Sequence, residues 1–323
     1  MRSVEMRDAV SLSSVKPLEG LLRYRAFCLS AVREALQGPT TRRARSPVTG
    51  ARLEPWAKVE GLTYLRCPES GSLFLADLPD RLRWARLVAE VIRYRHSANT
   101  FHAGLAQSRT EHVYAPKLEW IEDTLSLQDV RRPRLLEVTT APSDFTPLLN
   151  ECRSFADIRT IDESTLSGAA ESRSEEPKAH AAILLESLDR SHDPEALVRG
   201  VLDQLVPNGL LFVTALVCSG FDVAVLGPRN LYLCPPDRAN CFSLAGLSTM
   251  LRRAGLTLLE VSTPGALDVE IVRAHLRHDP SIRLSRFEHH IVDADASGQE
   301  AFQTFLQQQG LSSFARMVAR KPG

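Results

Sequence analysis

From residue 134 onward the chain alternates short apolar runs with amphipathic stretches, and no other feature limits its fold so strongly. Arg134 to Val138 reads as a strand, Asp144 to Cys152 as a helix and Phe155 to Ile161 as a strand. Ala181 to Glu186 reads as a buried strand, and Pro194 to Leu205 as a helix opened by Asp193. Leu210 to Leu216 follows as a strand launched by the turn Pro207-Asn208-Gly209. Ser243 to Ala254 is helical and stops at Gly255, and Leu256 to Val261 is again strand-like. Strands joined through helices require right-handed crossovers, which give a parallel sheet with helices on both faces. The expected class is therefore α/β, doubly wound and mostly parallel.

The region before this alternation has another texture. Leu18, Leu22, Leu29, Val32 and Leu36 form a helical stripe ending beside Gly38. Thr40 to Ser46 carries Arg42, Arg43 and Arg45 and reads as a solvated linker, with an anion-binding patch as the alternative. From Pro47 to Leu78, apolar stretches punctuated by Gly50, Pro55, Gly61, Pro68 and Gly71 predict small hairpins. Leu82, Ala85, Val88 and Ile92 mark a further helix, and Leu118, Ile121 and Leu125 another. At 323 residues the chain exceeds what one core usually holds, so two units are expected: a helical and hairpin module over 1–115 and the α/β domain over 116–323.

Charge narrows the partners. Lys plus Arg and Asp plus Glu both number 39, so no net field gathers the chain onto nucleic acid or an anionic membrane. No apolar run reaches the roughly 20 residues that span a bilayer, and Met1-Arg2-Ser3-Val4-Glu5 lacks a signal-peptide core. A cytoplasmic protein is expected, with Cys28, Cys67, Cys152, Cys218, Cys234 and Cys241 as reduced thiols. The partners expected are a small-molecule substrate or another protein, and an oligomer is compatible with either.

In a doubly wound sheet the first strand-to-helix turn lies closest to the ligand. Here it runs Glu137-Val138-Thr139-Thr140-Ala141-Pro142-Ser143-Asp144. It resembles the first motif of class I S-adenosylmethionine-dependent methyltransferases, an acid two positions before a Gly-x-Gly-x-Gly loop, with Thr139, Ala141 and Ser143 at the glycine positions. The resemblance extends to the chain end. Asp162 or Glu163 falls where the family places an acid on the ribose hydroxyls, and Leu188-Asp189-Arg190 resembles the turn after the fourth strand. Pro235-Pro236-Asp237-Arg238-Ala239-Asn240 resembles a substrate-side segment, with Arg238 where relatives often carry histidine. Phe314 to Lys321 would be the last, antiparallel strand. The resemblance implies a Rossmann-like methyltransferase sheet, related to small-molecule or sugar methyltransferases. It also implies S-adenosylmethionine as cofactor, held by Glu137, Thr139, Ala141, Ser143 and Asp162; no catalytic residue is assigned.

The N-terminal module resembles the zinc ribbon that precedes many such enzymes. Its two knuckles read Ser46-Pro47-Val48-Thr49-Gly50 and Cys67-Pro68-Glu69-Ser70-Gly71, so one thiolate of four remains and no zinc is expected.

Two departures bear on function. A β-branched Thr139 is penalised wherever the loop needs positive φ, so the turn is either purely structural or binds in a relaxed way. The polar segment between Glu163 and His180 is too short for a helix plus the third strand that meets adenine, and Ser164 to Lys178 is expected to be an exposed loop. The reading is a methyltransferase-like protein with an eroded cofactor loop and weak or lost cofactor binding; the alternative is a non-catalytic partner that stabilises or regulates another protein. Arg238 reads as a surface salt-bridge residue or an oxyanion clamp, Asp189 as a helix cap or solvated group with a place at the cleft mouth as the alternative, and Asn240 as a turn former. His96, His102 and His112 match no common metal spacing.

Overall fold

The computed structural model describes residues 11–97, 104–140, 145–166 and 176–323. Helices α1 (Leu12–Val15) and α2 (Leu18–Ala35) lead into strands β1 (Thr40–Arg42), β2 (Glu54–Val59), β3 (Leu62–Arg66), β4 (Leu73–Leu75) and β5 (Asp77–Pro79), then helix α3 (Arg81–Arg95). Glu60 and Gly61 both have positive φ (50° and 84°), the hairpin geometry that joins twisted antiparallel strands, here β2 and β3. The apolar stripe of α2 packs Tyr24, Cys28 and Val32 with Trp84, Val88 and Val91 of α3. The arginine-rich stretch is not the linker expected. Residues Thr40–Arg42 pair with β5, and Arg43 turns inward to Asn240 Oδ1 and the His192 carbonyl, because buried acceptors there outweigh the solvation of one guanidinium.

The larger part begins with α4 (Ala106–Arg109), a π-helical turn (Thr110–Tyr114) and α5 (Ala115–Leu127). Next come β6 (Arg134–Val138), α6 (Phe145–Glu151), β7 (Asp157–Ile161), α7 (Glu163–Leu166), β8 (Ala179–Leu185), α8 (Ser187–Arg190), α9 (Pro194–Gln204), β9 (Leu205–Leu216), α10 (Phe221–Leu226) and β10 (Asn240–Cys241). The chain closes with α11 (Leu244–Arg253), β11 (Thr257–Ser262), α12 (Asp268–His278), α13 (Arg286–Val292), α14 (Ala296–Gln308) and β12 (Phe314–Arg320).

A six-stranded sheet of order β11-β12-β9-β8-β6-β7 forms the centre. The β7, β6, β8 and β9 neighbours pair in parallel, and β12 is antiparallel to both β9 and β11. The two-residue period of a strand divides its side chains between the two faces. Leu136 and Val138 join the cluster of Leu197, Val201, Leu247 and Leu251 from α9 and α11, whereas Leu135 joins Leu118, Ile121 and Leu149 from α5 and α6. This is the doubly wound, mostly parallel Rossmann-like arrangement.

Among the described residues no strand follows β7 before β8. Ser164–Leu166 of the expected loop lie in α7, Glu176 pairs with Arg159, and residues 167–175 are outside the described set. The turn expected at Pro207-Asn208-Gly209 is absorbed into β9: Asn208 takes φ 61°, and the ladder to β8 shifts between Ala179 and Ala181, so the strand continues through the irregularity. The helices α12 to α14 between β11 and β12 have no counterpart in the sequence reading above. No helix of the described residues is long and apolar enough to cross a membrane.

The two parts share their packing. Strand β10 adds to the N-terminal sheet, order β10-β4-β3-β2, through Asn240 opposite Phe74 and Cys241 opposite Leu73. Val48, Leu65 and Phe74 lie in the same apolar cluster as Val213, Phe242 and Leu247.

Candidate functional site

The chain leaves β6 toward β7 on one side and returns in β8 on the other, so the strand order reverses between β6 and β8. Ligands of open α/β sheets sit beyond the carboxyl ends at such a point. A cavity of about 80 Å³ lies there, lined by Thr139 after β6, Leu185 and Glu186 at the end of β8, Arg190 of α8, and Arg95, Arg109, Tyr114 and Lys117. Ligand pockets commonly measure roughly 300–1,000 Å³.

The residues assigned by the resemblance are occupied with their neighbours. Glu137 is buried at the end of β6 and accepts from Thr146 Oγ1 (2.9 and 3.0 Å) and Thr160 Oγ1 (3.2 Å), tying α6 and β7 to its strand. Thr139 donates its N–H to the Ile161 carbonyl at 3.0 Å and is not among the positive-φ residues, so its β-branch carries no left-handed strain. Asp162 accepts from Ser164 N (2.8 Å) and Ser164 Oγ (2.5 Å) and shapes the entrance to α7. Ala141 and Ser143 lie outside the described residues, as does His102. Glu163, the neighbouring candidate, is buried and faces Arg190 Nε at 3.5 Å; burial raises its carboxyl above the usual range against the pull of Arg190.

A buried ion network adjoins the cavity. Glu186, held at φ 60° where β8 passes into α8, accepts from Arg238 Nη2 at 2.6 Å and has Lys117 Nζ 4.0 Å away. Burial alone would raise the Glu186 carboxyl, but Arg238, Lys117 and Arg95 outweigh it and hold it well below the usual range. Arg238 also contacts Asp189 Oδ2 at 3.1 Å. Asp189 is fully buried and accepts from Leu216 N at 2.9 Å, and its burial pushes the carboxyl up to about 8 despite Arg238. Asp237 binds Arg95 and accepts from Tyr24 Oη at 2.7 Å.

These positions correct three expectations. Asp189 has no solvent role, because α8 folds back beneath β9. Arg238 is neither a surface residue nor an unengaged clamp, because two carboxylates already hold its guanidinium. Asn240 is a buried cross-tie: its Nδ2 donates to the Leu188 and Ser191 carbonyls, each at 2.8 Å. Sequence reasoning missed Glu186, Arg95, Arg109 and Lys117. Three of these four come from helices before the sheet, and only the fold brings them to its carboxyl edge.

The knuckle-like segments also meet. Gly50 and Gly71, at φ 79° and 73°, close two similar turns, with Gly50 N bonded to the Ser46 carbonyl and Gly71 N to the Cys67 carbonyl. Thr49 Oγ1 lies 3.4 Å from Cys67 Sγ. Burial opposes ionisation of this thiol, but the hydroxyls of Ser46, Ser70 and Thr49 bring it down to about 7.

Residues 107–261 match the model of a family described as a methyltransferase domain. No curated protein matches the chain in sequence. Among solved structures, the chain is similar to the Burkholderia thailandensis 1,6-didemethyltoxoflavin-N1-methyltransferase with bound 1,6-didemethyltoxoflavin and S-adenosylhomocysteine, at 12% identity and a TM-score of 0.41, covering 84% of this chain and 100% of that one. It is similar to the [4+2]-cyclase SpnF at 18% identity and a TM-score of 0.34, covering 63% and 80%. It is also similar to a plantazolicin methyltransferase in complex with S-adenosylhomocysteine at 12% identity and a TM-score of 0.38, covering 68% and 89%. The family match spans the part of the chain that carries α5 and the parallel strands β6 to β9 of the doubly wound sheet.

Proposed function

We propose that this protein derives from small-molecule or sugar methyltransferases and binds S-adenosylmethionine weakly or not at all. The observation that supports this is the buried Glu163–Arg190 pair. Of the two acids at the ribose position, Glu163 is engaged by a guanidinium and Asp162 by a hydroxyl and an N–H, Glu137 is engaged by hydroxyls, and the remaining cavity of about 80 Å³ is small for a nucleoside with its amino-acid arm. A cytoplasmic setting fits six cysteines that form no disulfide.

Calorimetric titration tests the reading. Affinity for S-adenosylmethionine and S-adenosylhomocysteine is expected to be no better than about 100 μM, or roughly −5.5 kcal/mol. Arg190→Ala, which releases Glu163, is expected to tighten it. Low-micromolar binding by the unmodified protein overturns the reading and favours an active methyltransferase over a non-catalytic protein. A second reading, a non-catalytic partner of another protein, is favoured by Phe287 and Phe305 on α13 and α14, which are 65% and 48% exposed.

A further inference from the structure

The lining of the cavity at the β6/β8 switch is out of electrostatic balance. Arg95 is matched by Asp237, Arg190 by Glu163 and Arg238 by Glu186. Arg109 and Lys117 have no comparable match. Arg109 is 7% exposed, and its guanidinium donates to the Val15 carbonyl (3.0 Å) and to Tyr114 Oη (3.1 Å). Its Nε is buried without a hydrogen-bond acceptor, and no carboxylate lies within salt-bridge reach of it among the described residues. Lys117 is 5% exposed and donates no hydrogen bond among the described residues; its carboxylate neighbour, Glu186 Oε1, stands 4.0 Å away, beyond hydrogen-bond length, while Glu186 Oε2 bonds Arg238 at 2.6 Å.

Both cations border the Tyr114 ring, with Arg109 Cζ 5.3 Å and Lys117 Nζ 5.8 Å from its centroid. Two buried cations beside one aromatic ring, with donors unspent and a cavity in front of them, form a receptor for negative charge. A sulfonium would meet repulsion from the same groups. Burial, opposed by Glu186 and reinforced by Arg109, lowers Lys117 to about 8.

We propose that this cavity takes the oxyanion of a small acidic ligand, a carboxylate or phosphate group held by Arg109 and Lys117, with the rest of the ligand extending outward. The proposal rests on reading the switch-point cleft as the ligand site, and it holds whether or not S-adenosylmethionine also binds.

The test is thermal denaturation of the full chain with inorganic phosphate, acetate or chloride at matched ionic strength. Phosphate or acetate is expected to raise the midpoint in a saturable way that chloride does not, as ligand linkage requires. The tighter of the two tells a phosphate-bearing ligand from a carboxylate-bearing one. Arg109→Gln and Lys117→Gln are each expected to weaken the effect about tenfold, the loss of one charge-assisted contact. If Arg109→Gln fails to fold, Lys117→Gln and the phosphorus resonance of phosphate titrated with unmodified protein decide the matter. Equal rises with all three salts, or full retention of the effect in the soluble variants, overturn the proposal. Separate titration with S-adenosylmethionine keeps the two readings apart: tight cofactor binding overturns the weak-cofactor reading alone, and loss of the phosphate and acetate effects overturns this one alone.

Discussion

Two clusters of buried acids solve the same problem in opposite ways. At the carboxyl edge of the sheet, Glu186, Asp189 and Asp237 are surrounded by Arg95 and Arg238. Behind β12, Asp222 and Asp268 are more deeply buried than Glu186 and Asp237 and, among the described residues, have only neutral partners. Asp268 accepts from Ser313 N (2.7 Å), Ser313 Oγ (2.7 Å), Ser312 Oγ (2.6 Å) and Gln303 Nε2 (2.8 Å). Asp222 accepts from Ser313 Oγ and from Asn230 Nδ2 at 3.1 Å. Neutral donors suffice where the acids only fasten α10 and α12 to the last strand. Guanidinium partners appear where the cleft opens, which separates a scaffold from a site that handles charge.

The largest expected effect comes from removing the cation that the first cluster depends on. Arg238→Met leaves Glu186 and Asp189 without their shared partner and should cost about 3–5 kcal/mol in urea unfolding, partly recovered by adding Glu186→Gln. A loss below about 1 kcal/mol would erase the distinction between the clusters. Asp268→Asn should cost less, about 1–3 kcal/mol, because an amide nitrogen replaces an acceptor among groups that all donate. Full stability of that variant would mean the donors have other acceptors available.

The clusters should also differ in pH response. Burial and the nearby Asp268 raise Asp222 to about 7. The folded chain therefore keeps a proton that the unfolded chain, with an ordinary aspartate, gives up near 4. This contribution is complete at low pH and is lost as pH rises through about 7. Glu186, depressed in the fold, has the opposite sign: its contribution is present above its usual value and is lost as pH falls through its lowered one. Asp189 follows Asp222 in sign, since burial dominates it. Urea midpoints measured between about pH 5 and about pH 8 should fall less steeply in Asp222→Asn; an unchanged slope would place the proton elsewhere. The smallest effect belongs outside both clusters. Glu195→Ala removes an exposed helical pair with Arg199 and should change stability by no more than about 0.5 kcal/mol. A larger loss would show that exposed pairs here count like buried ones.

Much of the fold was legible because its central strands β6, β8 and β9 bury both faces over most of their length and its helices carry explicit stops. The expected strand Arg134 to Val138 is β6, Asp193 caps α9, and Ser243 caps α11, which ends before Gly255 at φ 86°. The helices between β11 and β12 went unread although Ser285 and Glu288 form a capping box, because their apolar stripes are short and the polar faces dominate. The cleft was less legible. Periodicity finds apolar faces, but it does not reveal that Lys117, in the first turn of α5, will be buried near an acid at the end of β8. Arg238 and Asp189 were picked out on sequence, yet their burial depends on how α8 folds back, which spacing does not encode.

Strand β10 has a consequence for the order of synthesis. The N-terminal sheet ends on Asn240–Cys241, so residues 54–75 have only part of their sheet until about 240 residues have left the ribosome. The first-made segment waits through most of translation with the β4 edge unsatisfied, and it locks only when β10 arrives. Long-range closures of this kind slow folding and leave a nascent edge open to wrong partners. A chain cut after residue 115 would keep that vacancy permanently, so chaperone demand should track the emergence of β10 rather than completion of the N-terminal segment.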